Sequence, residues 1–201
     1  MGATSRRVFE PSRETPVLGE YEVVVLGGGP AGISAAIAAG RSGRKTILIE
    51  RYGFLGGAGT AAGLSTFCGL HANVHGEHRQ VIHGIADDIL TRLTAMEALN
   101  DPHLSLGNKV MAQAYDISAY KIVADKLLLE ANVELLFHAI GVGAIMDSEC
   151  RVGSLLVETK SGRHAILGNV FIDCSGDADL AVRRAGRVRQ VAREALLDRR
   201  A

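Results

Sequence analysis

The feature that most constrains the fold is a glycine-rich turn between an apolar run and an alanine-rich stretch. Residues 22–26 read Glu-Val-Val-Val-Leu, which is typical of a strand buried on both faces of a parallel sheet. Glycines at 27, 29 and 32 follow at once. Residues 31–41 then show helical spacing up to Gly43, and residues 46–49 form a second apolar run. This order of strand, turn, helix and strand predicts a βαβ unit.

Later apolar patterns extend this unit into an α/β protein. Helical spacing returns at residues 81–99 and 116–130, with Asp116 or Ser118 as the N-cap of the second helix. Residues 133–137 predict a third core strand. Between these segments, residues 51–79 lack periodicity and predict a long loop with one short helix, and residues 100–107 predict a turn region.

The region beyond residue 140 predicts strands of another kind. Short apolar runs separated by turn-forming residues indicate an antiparallel meander, with strands at 144–146, 155–159 and 165–167. A separate strand at 170–172 leads into a tight glycine turn. The expected fold class is therefore α/β, with four parallel strands flanked by helices and an added antiparallel β meander.

Composition limits the classes of function. The 201 residues carry 22 Lys and Arg against 22 Asp and Glu, and 47% are hydrophobic, which argues against disorder and against nucleic acid as a partner. No apolar run approaches the roughly 18 residues of a membrane span, and residues 1–20 show no secretory signal, so no membrane partner is expected. Three widely spaced cysteines, Cys68, Cys150 and Cys174, fit a reducing compartment, and we expect a cytoplasmic protein.

Three segments are expected. Residues 1–20 predict an N-terminal tail or edge strap, with order starting near Tyr21, and residues 21–186 predict one ligand-binding domain. Residues 187–201 predict an Arg-rich terminal helix or tail. A basic helix can bind nucleic acid or an acidic partner, but no aromatic residue lies among these arginines, which favours a solvated helix.

The glycine-rich turn predicts a binding site for a dinucleotide. Gly27 allows a sharp turn out of the strand, Gly29 lets a pyrophosphate approach the main chain, and Gly32 lets the helix pack close to the sheet. Pro30 suits the first helical turn, where the N–H groups that follow it attract phosphate. Glu50, at the end of the second strand, is placed to accept hydrogen bonds from ribose hydroxyls and would repel a 2′-phosphate.

Three motifs together resemble a known family. Residues 24–32, 50–57 and 171–179 are similar to the FAD-dependent oxidoreductases with a glutathione-reductase-type Rossmann domain, and the likeness runs from about residue 16 to residue 186, the N-terminal portion of such enzymes. The resemblance implies a Rossmann-like sheet and FAD as the cofactor. It also implies that Gly56 and Gly57 pass near the ribityl-pyrophosphate.

The same resemblance implies further contacts. Residues 175–177 would approach the flavin side of the pyrophosphate, Arg51 would flank the adenosine, and residues 138–140 would touch adenine through main-chain groups. The predicted cofactor-binding residues are Gly27, Gly29, Pro30, Ala31, Gly32, Glu50, Arg51, Gly56, Gly57, Ser175, Gly176 and Asp177.

The histidines allow three interpretations. His71, His75, His78 and His83 lie within 13 residues, and His71 and His75 would share one face if they were helical. Metal ligands, an acid/base or substrate contact beside a flavin, and ordinary polar loop residues are the alternatives; we expect no metal site. Cys68 shows no resolving partner for redox work. No catalytic residue stands at a motif position.

The expected function is an FAD-binding oxidoreductase, or its N-terminal FAD-binding portion, in which flavin takes a hydride from a small organic substrate. The flavin-ring end of the site would need a second subunit, a copy of this chain or a continuation to complete it. One alternative is an enzyme resembling thiazole synthases, which binds an adenine dinucleotide. Another is a truncated, non-catalytic dinucleotide-binding subunit.

Overall fold

A computed structural model describes residues 8–9, 11–148 and 151–184. The strands are β1 (Val17–Leu26), β2 (Thr46–Ile49), β3 (Thr66–Cys68), β4 (His71–Val74), β5 (Glu77–Gln80), β6 (His103–Ser105), β7 (Val110–Ala114), β8 (Glu134–Leu136), β9 (Ile140–Ser148), β10 (Arg151–Thr159) and β11 (Gly162–Asp173). The helices are α1 (Pro30–Arg41), α2 (Ile85–Ala95), α3 (Ile117–Glu130) and α4 (Asp179–Arg184). A 3₁₀ turn spans Gly57–Gly59.

The main sheet has six strands in the order β8-β2-β1-β11-β10-β9. The first four strands run parallel, and β10 pairs antiparallel with both β11 and β9. The predicted fold class, four parallel strands with an antiparallel meander, is therefore confirmed. Its central strand, β1, pairs with β2 on one side and β11 on the other, so the turn that follows β1 is bordered by two strand ends.

Apolar residues of β1 pack into two hydrophobic cores, one on each face of the sheet, because successive side chains of a strand point to opposite faces. Val23 and Val25 face the helical layer, where Ile33 and Ile37 of α1 are fully buried. Val24 and Leu26 face the other side and pack in a cluster with residues of the meander and α4, namely Leu155, Val157, Ile166 and Leu180. Burial on both faces fixes the position of β1 and hence of the turn at its end.

The sheet begins earlier than the sequence predicted. Strand β1 starts at Val17, which pairs with Ala165 of β11, and the Ala165 N–H donates to the carbonyl oxygen of Pro16 (2.9 Å). The expectation that order starts near Tyr21 was wrong, because main-chain pairing with β11 holds residues that have no apolar pattern of their own.

Strand β11 is also longer than predicted. The runs at 165–167 and 170–172 belong to one strand, although Gly168 and Asn169 separate them in the sequence. A Cβ at Gly168 would lie 2.7 Å from Cγ2 of Val24 on the neighbouring strand. This glycine therefore marks a close approach inside the sheet and not the end of a strand.

The region predicted as a long loop contains short strands. Strands β4 and β5 form a hairpin, and β3 joins β7 and β6 in a three-stranded sheet that includes part of the predicted turn region at 100–107. The one short helix expected there is the 3₁₀ turn Gly57–Gly59. His71 lies in β4 and His75 lies in a turn with φ of 54°, so these two residues are not helical and share no helical face.

The predicted helices are present: α1 begins one residue earlier than predicted, whereas α2 and α3 have shorter bounds. For α3, Asp116 is the N-cap, since its Oδ1 accepts a hydrogen bond from the Ala119 N–H at 2.8 Å. No helix within the described ranges is long and apolar enough to cross a membrane. The predicted Arg-rich segment at 187–201, residues 1–7 and 10 of the predicted N-terminal tail, and Cys150 lie outside the described residues.

Candidate cofactor site

A cavity of about 530 Å³ opens where β1, β2 and β11 end. The last residues of β1 and β2, Leu26 and Ile49, line it, as does Cys174, which directly follows β11. The carboxyl ends of parallel strands meet at one edge of a sheet, and ligands bind there in open α/β folds.

Each glycine of the turn after β1 has its own reason to be glycine. Gly27 has φ of 104°, and a Cβ there would overlap the carbonyl oxygen of Cys174. A Cβ at Gly32 would overlap the carbonyl oxygen of Gly27, so helix α1 packs directly on the turn. Gly29 differs from both: its φ and ψ of −74° and −178° suit any residue, and a Cβ there would meet only Gly57 Cα, 3.9 Å away. Gly29 therefore keeps space free in the cavity.

Helix α1 presents its N-terminus to the cavity. Gly29 is its N-cap, Pro30 occupies the first turn, and both Pro30 and Ala31 line the cavity wall. The first N–H groups of a helix have no acceptor within it, and the helix dipole is positive at that end. This arrangement attracts an anion such as a pyrophosphate without a lysine.

A second glycine segment forms the opposite side of the turn. Gly57 has φ of 51°, and a Cβ there would lie 2.8 Å from Cα of Gly29. Gly56 lies behind the cavity wall with φ of 109°, and its N–H donates to the Gly28 carbonyl oxygen at 2.8 Å. The two glycine segments thus contact each other through their main chains.

The carboxylate of Glu50 joins the turn after β1 to the segment after β2 by two hydrogen bonds. Glu50 is 5% exposed, and its Oε2 accepts a hydrogen bond from the Gly28 N–H at 2.6 Å. Its Oε1 accepts from the Tyr52 N–H at 2.9 Å. Glu50 also lines the cavity, so each oxygen has acceptor capacity left for a ligand hydroxyl.

Arg51 and the junction between β8 and β9 border the same side. The Arg51 guanidinium lies over the Tyr52 ring, 5.2 Å from its centroid, and both residues line the cavity. Of the segment predicted to touch adenine, Ala139 and Ile140 line the cavity. The His138 ring instead packs against Gly53, where a Cβ would lie 2.6 Å from its Nε2.

The segment after β11 supplies the third wall. Ser175, Gly176 and Asp177 line the cavity. Asp173 organises them: its Oδ1 accepts from the main-chain N–H (3.1 Å) and the hydroxyl (2.6 Å) of Ser175. Its Oδ2 accepts from the N–H groups of Leu180 and Ala181, each at 3.0 Å. Partial burial acts to raise the pKa of Asp173, but these hydrogen bonds outweigh it and hold the pKa below its usual value.

A loop after Gly57 completes the described wall with small residues, Ala58, Ala61 and Ala62. The Thr60 hydroxyl donates to the Leu55 carbonyl oxygen at 2.7 Å. The Tyr115 hydroxyl lies 3.0 Å from the carbonyl oxygen of Gly59 and 2.9 Å from that of Leu64.

Most of the predicted residues come together here. Ten of the twelve line the cavity, and the other two, Gly32 and Gly56, lie behind it and shape its main chain. Asp173 was not among the predicted site residues, although it lies inside the third motif, and neither were Tyr115 and the alanines of the loop. An acidic residue that follows an apolar strand just before a glycine turn was the available signal for Asp173. Tyr115 carries no local signal, because the two carbonyl oxygens that its hydroxyl contacts lie more than 50 residues away along the chain.

The four histidines lie elsewhere in the described part of the chain. The Nδ1 of His83 is 3.2 Å from Asp87 Oδ2, and His71 borders a second cavity of about 380 Å³ beside α2. Among the residues that the structure describes, no group of three or more His, Cys, Asp or Glu side chains is arranged to hold a metal ion.

Comparison with known proteins identifies the family. A model of the FAD-dependent oxidoreductases matches residues 22–196. The chain belongs to this family. FAD is therefore its cofactor, as predicted, and the glycines at 29 and 57 fit that cofactor because they leave main chain exposed where the pyrophosphate of a dinucleotide must approach.

Relatives of this family are longer proteins. Mitochondrial dihydrolipoyl dehydrogenase of Schizosaccharomyces pombe is 30% identical over 65% of this chain and 24% of its own length. Soluble pyridine nucleotide transhydrogenase of Mycobacterium tuberculosis is 26% identical over 78% of this chain and 31% of its own length. The chain thus spans about a quarter to a third of the curated relatives that it matches.

Solved structures share the fold. THI4 of Thermovibrio ammonificans superposes with a TM-score of 0.58 at 16% identity, over 84% of this chain and 64% of that one. The open conformation of a flavocytochrome c3 fumarate reductase superposes with a TM-score of 0.54 at 19% identity, over 78% of this chain and 34% of that one.

Proposed function

We propose that this chain supplies the adenosine and pyrophosphate half of an FAD site in an oxidoreductase that takes a hydride from a small organic substrate. The observation that carries the proposal is the cavity at the ends of β1, β2 and β11, where Gly29 and Gly57 leave the main chain bare beside the N-terminus of α1. Family membership supports oxidoreduction as the chemistry.

Each wall has a separate task in this proposal. The N-terminus of α1, with Gly29 and Gly57, holds the pyrophosphate by main-chain N–H groups. Glu50 accepts hydrogen bonds from the ribose hydroxyls with the acceptor capacity that its two main-chain bonds leave. Arg51 and residues 139–141 surround the adenosine, and residues 175–177 lie towards the flavin.

FAD, when bound, supplies the hydride acceptor, whereas the protein orients it and excludes water. In the described part of the chain, Ala58, Ala61 and Ala62 line the cavity near the expected flavin end, and their small side chains leave room for a flat ring. We assign no proton transfer to this chain, since no catalytic acid or base stands at a motif position and its predicted site residues are assigned to cofactor binding.

We further propose that residues 21–186 form the FAD-binding domain and that other polypeptide completes the flavin-ring end. The support is the length of the relatives, of which the chain covers 24% and 31% in the two cases above. A second subunit, a second copy of this chain and a continuation of the chain are the three candidate sources. Sedimentation with and without FAD identifies self-association, because only self-association makes the mass of the purified chain double.

We also propose a cytoplasmic location, which rests on the spacing of Cys68, Cys150 and Cys174 in the sequence. Cys68 and Cys174 are both free thiols in the structure. Cell fractionation with an antibody to the chain tests the location, and recovery with the membrane or secreted fraction would contradict it.

Titration of the purified chain with FAD, ADP and FMN tests the function. FAD and ADP share the adenosine and pyrophosphate groups, whereas FMN lacks them, so FAD and ADP should bind and compete while FMN should not. Flavin fluorescence and calorimetry report the binding. Failure to bind FAD, or equal binding of FMN, would overturn the proposal. Turnover with a dye as electron acceptor then separates an enzyme from a binding subunit.

A further inference from the structure

The loop at residues 59–64 is attached to the rest of the protein at both ends by one side chain. The Tyr115 hydroxyl lies between the carbonyl oxygens of Gly59 (3.0 Å) and Leu64 (2.9 Å), which are the first and last residues of the loop. Between these ends, Ala61 and Ala62 line the cofactor cavity. The hydroxyl therefore closes a loop whose middle forms the cavity wall.

Tyr115 is itself held firmly. It is 7% exposed, its ring stacks on Phe67 with centroids 4.2 Å apart, and its N–H donates to the Ser65 carbonyl oxygen at 3.0 Å. Burial raises the pKa of Tyr115 to about 12, so the hydroxyl stays protonated and can donate at any working pH. A rigid donor of this kind fixes the positions of the carbonyls that it contacts.

The loop joins directly to the pyrophosphate cradle. The N–H groups of Thr60 and Ala61 donate to the Gly57 carbonyl oxygen at 3.1 and 2.8 Å. Gly57 in turn lies against Gly29, which leaves no room for a Cβ at Gly57. A shift of the loop at residue 59 is thus transmitted to the glycine that borders the phosphate position.

We infer that Tyr115 is a positioning residue for the cofactor: its hydroxyl holds the loop at 59–64, and through it Gly57, in the shape that receives the pyrophosphate and ribityl part of FAD. This inference rests on the proposed FAD site. At the adenosine end, the partners of Glu50 and Arg51 are Gly28 and Tyr52, which lie outside the loop, so we expect this end to depend less on Tyr115.

The test compares ligands that differ in the part they place against the loop. Tyr115→Phe keeps the ring and removes the hydroxyl. We expect its affinity for FAD and for ADP to fall about tenfold, since loss of one buried hydrogen bond leaves carbonyls unpaired. We expect its affinity for AMP, which lacks the second phosphate, to stay within about twofold of the original chain.

Tyr120→Phe is the matched control. Tyr120 is 1% exposed and packs against Tyr115 with ring centroids 5.1 Å apart. The carbonyl oxygens of Gly59 and Leu64, however, lie against the Tyr115 hydroxyl. This control should bind all three ligands as the original chain does. Gly59→Ala perturbs the same contact from the other side, because its Cβ would lie 2.5 Å from the Tyr115 hydroxyl, and it serves if Tyr115→Phe does not fold.

The outcomes separate the inference from the proposed function. If the original chain binds no FAD, the proposed function fails. If the original chain binds FAD, and Tyr115→Phe binds both FAD and ADP as tightly as the original chain does, the inference fails. An equal loss for AMP, FAD and ADP also overturns it, because that result shows general loss of structure and not positioning of one wall.

Discussion

The two hydrogen bonds of Glu50 predict that this residue supports the fold before any cofactor binds. Both carboxylate oxygens accept main-chain N–H groups, from Gly28 at 2.6 Å and Tyr52 at 2.9 Å, in a side chain that is 5% exposed. Glu50→Gln has the same shape but only one acceptor oxygen. In either orientation its NH₂ group faces a main-chain N–H, so one hydrogen bond is lost and a buried donor is left unpaired.

The size of the effect follows from that geometry. A hydrogen bond to a charged group contributes about 1.5–3 kcal/mol, and a neutral one about 1 kcal/mol. Losing one charged bond and weakening the other to a neutral one should therefore reduce the free energy of unfolding by about 2–5 kcal/mol. For a domain of this length, 1 kcal/mol lowers Tm by about 2–4 °C, so the expected decrease is roughly 4–20 °C.

Thermal unfolding of the protein without FAD, followed by circular dichroism, measures this effect. Glu22→Gln is the matched control: Glu22 accepts a hydrogen bond from the Lys45 N–H at 2.9 Å, but its side chain is 41% exposed, so water replaces the lost contact. The control should lower Tm far less. A Tm for Glu50→Gln equal to that of the original chain would refute the reasoning and leave Glu50 with a ligand role alone.

Two further predictions concern the other walls. Gly29→Val should lower FAD affinity roughly 100-fold with little change in Tm, because the valine side chain enters the cavity. Gly32→Ala should instead lower Tm, because the added Cβ overlaps the Gly27 carbonyl oxygen. Calorimetry measures the affinity and thermal unfolding measures Tm, and an equal loss of Tm in both variants would contradict the prediction. Asp173→Asn should weaken FAD binding and lower Tm at neutral pH, since Asp173 accepts four hydrogen bonds as a carboxylate. Because the pKa of Asp173 is lowered in the native state, its stabilisation is complete above about pH 4 and is lost as the pH falls through the native pKa. The Tm values of the original chain and of Asp173→Asn should therefore converge in acid. A constant difference in Tm at every pH would be inconsistent with that role.

The parts of the fold that the sequence predicted are those with a strong local pattern. Strands β1 and β2 and helix α1 have continuous apolar or helical spacing, and Asp116 is an N-cap recognisable from residue type. Strands β4 and β5 read His-Ala-Asn-Val and Glu-His-Arg-Gln, which have no apolar alternation. They form because each pairs with the other through the main chain, and that pairing leaves no mark in side-chain periodicity.

The same distinction explains the site. Glycine and acidic residues at strand ends report their role through type and position, so the sequence located the walls at residues 27–32, 50–57 and 175–177. The support behind those walls depends on contacts between distant segments. Tyr115 reaches Gly59 across 56 positions of sequence, and the second role of Glu50 depends on how closely the Gly28 N–H approaches it. Neither distance is encoded in a local pattern.

The pairing of β1 with β11 has a consequence for biosynthesis. Leu26 lies beside Asp173, so the two central walls of the cavity are nearly 150 residues apart in the chain although adjacent in space. Contacts between such distant segments form slowly, because a long loop must close first. A nascent chain should therefore gain affinity for FAD only after the residues up to Asp177 have left the ribosome, which makes cofactor capture a late event in synthesis.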